Sequence, residues 1–153
     1  MIKKIISGGQ TGADRAAFDL ARKLNIPHGG WCPAGRLAED GTIEDAYRLT
    51  ETPSADPTQR TEWNVRDSDG TVILSISPKL TGGSAKTEIF ARQHEKPCLH
   101  LSRERDGQRA IQLLSRFLSD NKIQILNVAG PRRSEEPQAA EFVSQTLEAV
   151  LLQ

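Results

Sequence analysis

Hydrophobic and polar positions along this chain follow two repeating patterns, one typical of buried strands and the other of amphipathic helices. Short apolar runs bounded by glycine, proline or polar residues predict five strands, at residues 2–6, 27–30, 71–76, 97–101 and 123–128. Between these runs, apolar residues recur every three or four positions, which is the spacing of a helix with one buried face. The pattern therefore predicts strands and helices that alternate from end to end.

Residues at the predicted helix ends refine this picture. Thr11 and Asp14 form a capping-box pattern at the start of the first helix. Asp56 followed by Pro57 predicts the N-cap and first residue of the second helix. The remaining helices are predicted after the glycine turn at residues 81–88 as far as about Glu95, over residues 108–119, and from Ser134 onward, the last with Glu135 and Glu136 in its first turn.

This alternation predicts an α/β protein with a Rossmann-like, doubly wound, mostly parallel sheet of five or slightly more strands and helices on both faces. A chain of 153 residues is the size of a single domain, so we expect one ligand-binding domain over residues 1–153. In such sheets the ligand lies outside the carboxyl ends of the strands, where the topology reverses. Turns at those ends are therefore the first places to look for chemistry.

The first of these turns follows the first strand and has the sequence Ser-Gly-Gly-Gln-Thr-Gly-Ala-Asp-Arg, residues 7–15. A glycine turn that leads into a helix N-terminus presents free backbone N–H groups and the positive end of the helix dipole, which suits a phosphate. The alternative is a tight turn that only packs the helix on the sheet. The glycine spacing matches neither a dinucleotide-binding loop nor a Walker loop. The second strand lacks a terminal acidic residue for a ribose, which disfavours a nicotinamide dehydrogenase.

Two further special turns are predicted at the same edge of the sheet. The turn at residues 81–88 contains Gly82, Gly83 and Ser84, and the turn at residues 129–134 contains Gly130 and the two arginines Arg132 and Arg133. Arginine recognises phosphates and other oxyanions in a bidentate manner, although these two could also be a solvated pair that points away. Three turns that converge on one edge favour an anionic ligand more strongly than one turn alone.

No catalytic constellation stands out. The histidines are scattered, and His100, inside a predicted strand, is expected to be a hydrogen-bonded core or edge residue rather than a base. Asp14 and Glu88 each lie in the first turn of a helix, where a carboxylate is often only a cap. The long stretch from residue 31 to residue 55 contains Trp, Cys, Pro and Tyr, so we expect an ordered lid or wall of the site rather than disorder.

Composition narrows the function classes. The chain has 20 basic and 20 acidic residues and few aromatic residues, which disfavours a nucleic-acid or anionic-membrane partner. Its two distant cysteines show no metal-ligand spacing and fit a reducing compartment, and no apolar stretch approaches a signal peptide or membrane span. These features predict a cytoplasmic protein, and no metal site is expected.

With these residues in view, nearly the whole chain resembles the molybdenum-cofactor carrier family. This family is a branch of the Rossmann-like proteins that include the lysine-decarboxylase-like (LOG) phosphoribohydrolases. The resemblance rests on residues 7–15, on residues 30–41 (Gly-Trp-Cys-Pro, Gly-Arg and Ala-Glu-Asp-Gly), on Gly82-Gly83-Ser84 with Thr87, and on residues 129–132. It implies a homo-oligomer whose cargo is the molybdenum cofactor, or molybdopterin, with molybdoenzymes as possible recipients. The ligand residues implied are Gly8, Gly9, Gln10, Thr11, Gly12, Asp14, Arg15, Gly82, Gly83, Ser84, Thr87, Gly130 and Arg132.

The alternative is a nucleotide-binding protein or a nucleotide phosphoribohydrolase that cleaves an N-glycosidic bond with Glu88 or Asp14 as the acid–base group. The hydrolase relatives carry Pro-Gly-Gly-x-Gly-Thr-x-x-Glu. This chain has Thr-Gly-Gly-Ser-Ala-Lys-Thr-Glu at residues 81–88, so it lacks the proline, the third glycine and the properly spaced glutamate. The departure favours a non-enzymatic carrier with the terminal phosphate on the 8–12 turn.

Overall fold

The computed structural model describes all 153 residues and contains one central sheet with flanking helices. Its nine strands are β1 Lys4–Ile6, β2 His28–Gly29, β3 Trp31–Cys32, β4 Leu37–Ala38, β5 Gly41–Thr42, β6 Thr50–Glu51, β7 Gly70–Ser75, β8 Cys98–Ser102 and β9 Ile125–Ala129. Its six helices are α1 Ala13–Lys23, α2 Pro57–Arg66, α3 Gly82–Gln93, α4 Arg103–Asp106, α5 Arg109–Asp120 and α6 Ala139–Leu151. The predicted fold class is confirmed.

The central sheet has five parallel strands in the order β2-β1-β9-β7-β8. Helix α1 connects β1 to β2 at one end of this order, and helix α3 connects β7 to β8 at the other end, so the two crossovers run in opposite directions along the sheet. Right-handed crossovers therefore place these two helices on opposite faces. Helices α1, α5 and α6 pack together on one face, and α2 packs against α3 on the other. The direction of winding thus reverses among β1, β9 and β7, in the middle of the sheet.

The hydrophobic core lies between the central sheet and the helices α1, α5 and α6. Strand residues such as Ile5, Val72 and Leu126 are inaccessible to solvent and form one buried cluster with Leu114 of α5 and Leu147 of α6.

None of the six helices combines the length and the apolar composition needed to span a membrane.

The predicted start of the first helix needs a correction. Helix α1 begins at Ala13, its N-cap is Gly12, and the capping box between Thr11 and Asp14 does not form. The Thr11 hydroxyl donates to Glu39 from the 31–55 stretch, and the Asp14 carboxylate accepts the backbone N–H of Gln10 at 3.2 Å. A contact 28 residues away in sequence therefore holds Thr11, and Asp14 binds the turn before the helix instead of the predicted N-cap.

The predicted start of the last helix was also wrong. Helix α6 begins at Ala139, five residues later than expected, because the residue before Pro137 is disfavoured in the helical conformation. That residue, Glu136, instead accepts the backbone N–H groups of Ile76 and Ser77 at 2.8 and 3.0 Å. The segment that was read as a first helical turn therefore ties β9 to the end of β7.

Smaller differences concern element bounds. Strands β1 and β9 begin two residues later than predicted. Helix α2 has the predicted N-cap, with the Asp56 side chain accepting the N–H of Thr58 at 2.9 Å. The short helix α4 was not predicted.

The 31–55 stretch is ordered around two small ladders, β3 with β6 and β4 with β5. Arg36 fixes this stretch by donating to four backbone carbonyls, those of Ile43, Glu44, Tyr47 and Leu49.

Candidate functional site

The carboxyl ends of β1, β7 and β9 open into a crevice of about 120 Å³ that collects residues from all three predicted turns. It is lined by Gln10, Asp14, Arg60, Gly83, Ser84, Thr87, Ala129, Gly130, Arg132 and Glu135. A second cavity of about 200 Å³ shares Ser84 and Glu135 with it and extends past the end of β7. Seven of the predicted site residues thus lie together where the winding of the sheet reverses.

The remaining predicted residues are not among those that line this crevice. They are Gly8, Gly9, Thr11, Gly12, Arg15, Gly82 and Glu88. Thr11 is buried against Glu39, and Arg15 forms a two-bond pair with Asp40 at 2.5 and 2.8 Å while its Nε donates to the Gly9 carbonyl. Glu88 is exposed on α3 and lies near Cys98 and His100 of β8.

The first glycine turn satisfies part of its own donors. The N–H of Gln10 binds the Asp14 carboxylate, the N–H of Thr11 binds the Gln10 side chain at 3.0 Å, and the N–H of Ala13 binds the Pro131 carbonyl at 3.3 Å. The Asp14 carboxylate already occupies the place at the start of α1 that an anionic ligand would take. The N–H groups of Gly9 and Gly12 have no acceptor in the protein, so this turn is closed only in part.

The start of α3 is open by comparison. The backbone N–H groups of Gly82, Gly83 and Ser84 have no acceptor in the protein, and the Thr81 N-cap makes no side-chain hydrogen bond. No heavy atom lies within 4 Å of where a side chain on Gly83 would begin, and the Ser84 hydroxyl also lacks a partner. Unpaired N–H groups at a helix N-terminus are suited to bind an anion.

Arg60 of α2 forms the opposite wall of the crevice. Its side chain is only 14% exposed, and its Nη1 lies 3.9 Å from the Asp14 carboxylate. Its Nε is buried and has no hydrogen-bond partner. A buried, unpaired N–H of a charged guanidinium is costly unless a ligand accepts from it.

Asp14 brings a negative charge to the same crevice. Burial raises the pKa of this carboxyl above its ordinary value of 3.8, and the nearby Arg60 and the Gln10 N–H lower it in part. The carboxylate and the guanidinium face each other with only 7% and 14% of their side chains exposed. The inner end of the crevice is thus a buried, oppositely charged pair rather than a purely positive surface.

Arg132 at the outer end is held between two carboxylates. Its Nε lies 3.2 Å from Glu135 and 3.7 Å from Glu39. Glu39 also accepts from Thr11 and from the N–H and hydroxyl of Ser134, and these hydrogen bonds lower its pKa. Glu39 therefore joins the β4–β5 hairpin to the turns after β1 and β9, and it helps to orient Arg132.

Two glycines of the turns are required by close packing. Gly12 has a φ of 83°, and a side chain there would begin 2.7 Å from the Pro131 carbonyl oxygen. A side chain on Gly130 would begin 2.3 Å from the Leu74 carbonyl oxygen and 2.6 Å from the Ala13 side chain. The alternative interpretation, a tight turn that packs the helix on the sheet, therefore describes part of what these glycines do. They let the turns after β1 and β9 lie close to each other and to the end of β7.

Arg60 was not predicted from the sequence, because the helix start at Asp56 predicts α2 but not which of its residues lines the crevice. His100, expected to be hydrogen-bonded within the sheet, pairs through Nε2 with the Ser75 hydroxyl at 2.7 Å.

Nowhere do three or more His, Cys, Asp or Glu side chains cluster so that they could hold a metal ion.

An open parallel sheet with helices on both faces and a polar crevice at its central carboxyl edge defines a Rossmann-like protein with a candidate ligand site. The model of the circularly permutated YpsA SLOG family matches residues 5–151, and the chain belongs to this family. This confirms the family resemblance that the sequence motifs indicated. Among curated proteins, no sequence is significantly similar to this chain.

One solved structure is similar over almost the full length. It is described as "Putative molybdenum carrier protein" from Syntrophus aciditrophicus SB, is 51% identical, covers 98% of this chain and 95% of its own, and superposes with a TM-score of 0.96. A structure of (E)-4-hydroxy-3-methyl-but-2-enyl diphosphate reductase shows 10% identity over 96% of this chain and 59% of its own, with a TM-score of 0.43. The second similarity is too low to bear on function.

Proposed function

We propose that this protein binds and carries a small phosphorylated or oxyanionic ligand in the crevice between α1, α2 and α3, with molybdenum cofactor or molybdopterin as the cargo. One observation carries the proposal: Arg60, whose buried Nε–H has no partner, lines the same crevice as Gly83 and Ser84, whose backbone N–H groups have none. Unpaired donors on opposite walls match the several acceptor oxygens of a phosphate.

The location of these donors supports a phosphate position different from the one expected from sequence. Asp14 and internal hydrogen bonds occupy part of the 8–12 turn, and its glycines do not line the crevice, whereas Gly83 and Ser84 do. We therefore place the phosphate between the start of α3, Arg60 and Arg132. The choice of cargo is supported by the name of the 51% identical relative. Homo-oligomeric assembly, a cytoplasmic location and delivery to molybdoenzymes stay predictions.

The experiment that tests the cargo is mass spectrometry with elemental analysis of the small molecule released when the purified protein is denatured. A pterin phosphate, with or without molybdenum, supports the carrier function. A nucleotide or ribose phosphate contradicts that cargo and supports the alternative below. A protein that releases nothing and binds neither inorganic phosphate nor a pterin monophosphate contradicts the proposal.

Charge reversal at Arg132 tests the outer end of the crevice. Arg132→Glu should weaken binding of inorganic phosphate by at least ~2 kcal/mol, because it replaces a donor with a carboxylate that repels the anion. Isothermal titration calorimetry measures the change. Arg133→Glu is the matched control, since Arg133 is an exposed neighbour that does not line the crevice. Equal affinity of wild type and Arg132→Glu would exclude a role for Arg132.

The raised pKa of Asp14 predicts a pH dependence. As the pH falls from neutrality toward 3.8, Asp14 takes up a proton at a higher pH than an ordinary aspartate. The negative charge in the crevice is then lost, and sulfate, whose own charge stays constant, should bind more tightly. Asp14→Asn should bind sulfate more tightly at neutral pH and show less of this dependence, as measured by NMR titration. A wild-type affinity that is constant across this range would argue against Asp14 as the cause.

One observation favours a second candidate function, nucleotide N-glycosidic hydrolysis. Asp14 is a buried carboxyl with a raised pKa in a crevice, which is a common property of a general acid. Glu88, the other candidate acid, is exposed and outside that crevice. Release of free base from nucleoside monophosphates that is lost in Asp14→Asn but kept in Glu88→Gln would support this function, and no release by wild type would exclude it.

A further inference from the structure

The second cavity continues the crevice beyond Ser84 and Glu135 and, like the crevice, is lined almost entirely by polar residues. Only one of its nine lining residues is hydrophobic. Two of the polar ones are occupied within the protein: Glu136 accepts the N–H groups of Ile76 and Ser77, and the Ser75 hydroxyl is bonded to the Ser77 carbonyl and to His100. These contacts fix the floor of the cavity and leave other groups for a ligand.

The free groups include one acceptor and several donors. Glu135 directs Oε1 to Arg132, while its Oε2 accepts no hydrogen bond from the protein. The Thr81 hydroxyl has no partner, the Ser77 hydroxyl accepts only the Lys79 N–H, and the exposed Lys79 also lines the cavity. A carboxylate oxygen disfavours a second phosphate here and favours a ligand group that donates N–H.

We propose that this second cavity binds the 2-amino-4-oxo-pyrimidine edge of a pterin ring, with Glu135 accepting from the exocyclic amino group. The ring N3–H beside the amino group is a second donor for the same carboxylate, and the carbonyl of that edge would accept from the Lys79 ammonium or the neighbouring hydroxyls. The assignment rests on the proposed function, because the phosphate in the adjoining crevice sets the position of the ring. Glu135 is then the residue that determines which ring the carrier accepts.

Two matched ligands test this assignment by calorimetry: 6-hydroxymethylpterin monophosphate and its lumazine counterpart, in which oxygen replaces the amino group. Wild type should bind the pterin at least about tenfold more tightly, because the lumazine oxygen would face a carboxylate and lose a charge-assisted hydrogen bond. Glu135→Gln should reduce this ratio to within about threefold, since an amide both donates and accepts. Inorganic phosphate should bind this variant at least as tightly as wild type. Glu141→Gln, on the exposed surface of α6, is the control and should keep the wild-type ratio.

The outcomes separate this inference from the proposed function. A pterin-to-lumazine ratio near one in wild type, or a ratio that Glu135→Gln leaves unchanged, would overturn the ring assignment while phosphate binding still supports the carrier. Failure of wild type to bind inorganic phosphate and both monophosphates would overturn the proposed function itself. Thermal unfolding of each variant verifies that a changed ratio does not come from a misfolded protein.

Discussion

Gly130→Ala should destabilise the protein by about 3 kcal/mol, because the added methyl group would begin 2.3 Å from a backbone oxygen of the neighbouring strand. That atom, the Leu74 carbonyl oxygen of β7, belongs to the most deeply buried strand of the sheet and has little freedom to move. The Ala13 side chain, 2.6 Å away on the other side, blocks the alternative direction. The turn after β9 would have to shift as a unit.

Urea denaturation followed by circular dichroism measures this effect as a lower midpoint at an unchanged slope. Gly83→Ala is the matched control, since no heavy atom lies within 4 Å of its added methyl group and alanine is the better helix former. Its stability should be equal to wild type or up to about 1 kcal/mol higher. A Gly130→Ala protein within about 0.5 kcal/mol of wild type would refute the packing role of this glycine.

The sequence predicts the fold well because its signals are local. Isoleucine- and valine-rich runs, bounded by turn residues, identify the central strands, and helical spacing between them identifies the layers on both faces. Asp56 and Pro57 give the start of α2 correctly because the cap is formed within three residues. The same kind of local signal failed at Thr11 and at Ser134. Thr11 accepts the N–H of Arg133, and Ser134 donates its N–H to Glu39, both partners lying more than ninety residues away in sequence. Pro137 also delays the start of α6.

The candidate site was predictable only in part, for a related reason. Parallel strands bring their carboxyl ends to one edge, so the convergence of the three turns follows from the topology alone. The topology does not show which hydrogen-bond donors remain unpaired, because that depends on contacts such as Asp14 with Gln10 and Arg15 with Asp40. Glu39 belongs to the 30–41 stretch that carries the family resemblance, but its contact with Arg132 is formed only in the folded hairpin. Motifs therefore identify the edge, and the hydrogen-bond pattern identifies the candidate binding groups.

Arg60→Met should have the largest effect on ligand binding. The methionine keeps the stem of the side chain in place but removes the guanidinium, with its unpaired Nε–H and its positive charge, from the lining of the crevice. We expect 6-hydroxymethylpterin monophosphate to bind about a hundredfold more weakly, which corresponds to about 3 kcal/mol for the loss of charge-assisted hydrogen bonds. Calorimetry measures the affinity, and thermal unfolding tests whether the fold is intact.

Two further variants define the origin of the effect. Arg60→Lys keeps a charge but lacks the planar fork of donors, so its affinity should lie between those of wild type and Arg60→Met. Arg66→Met, on the same helix, removes an exposed arginine that stacks on Trp63 and pairs with Asp67, and it should bind as wild type does. If Arg60→Met also bound like wild type, the anion site could not lie against α2.

The Arg60→Met variant also tests the link between the guanidinium and Asp14. Arg60 is the cation that lowers the pKa of this carboxyl against the larger effect of burial. Without it, the pKa of Asp14 should rise further, and the pH below which sulfate binding strengthens should move upward. Residual sulfate binding with the wild-type pH dependence would mean that the two side chains act independently. A shifted dependence would show that the buried pair controls how much negative charge the crevice presents to its ligand.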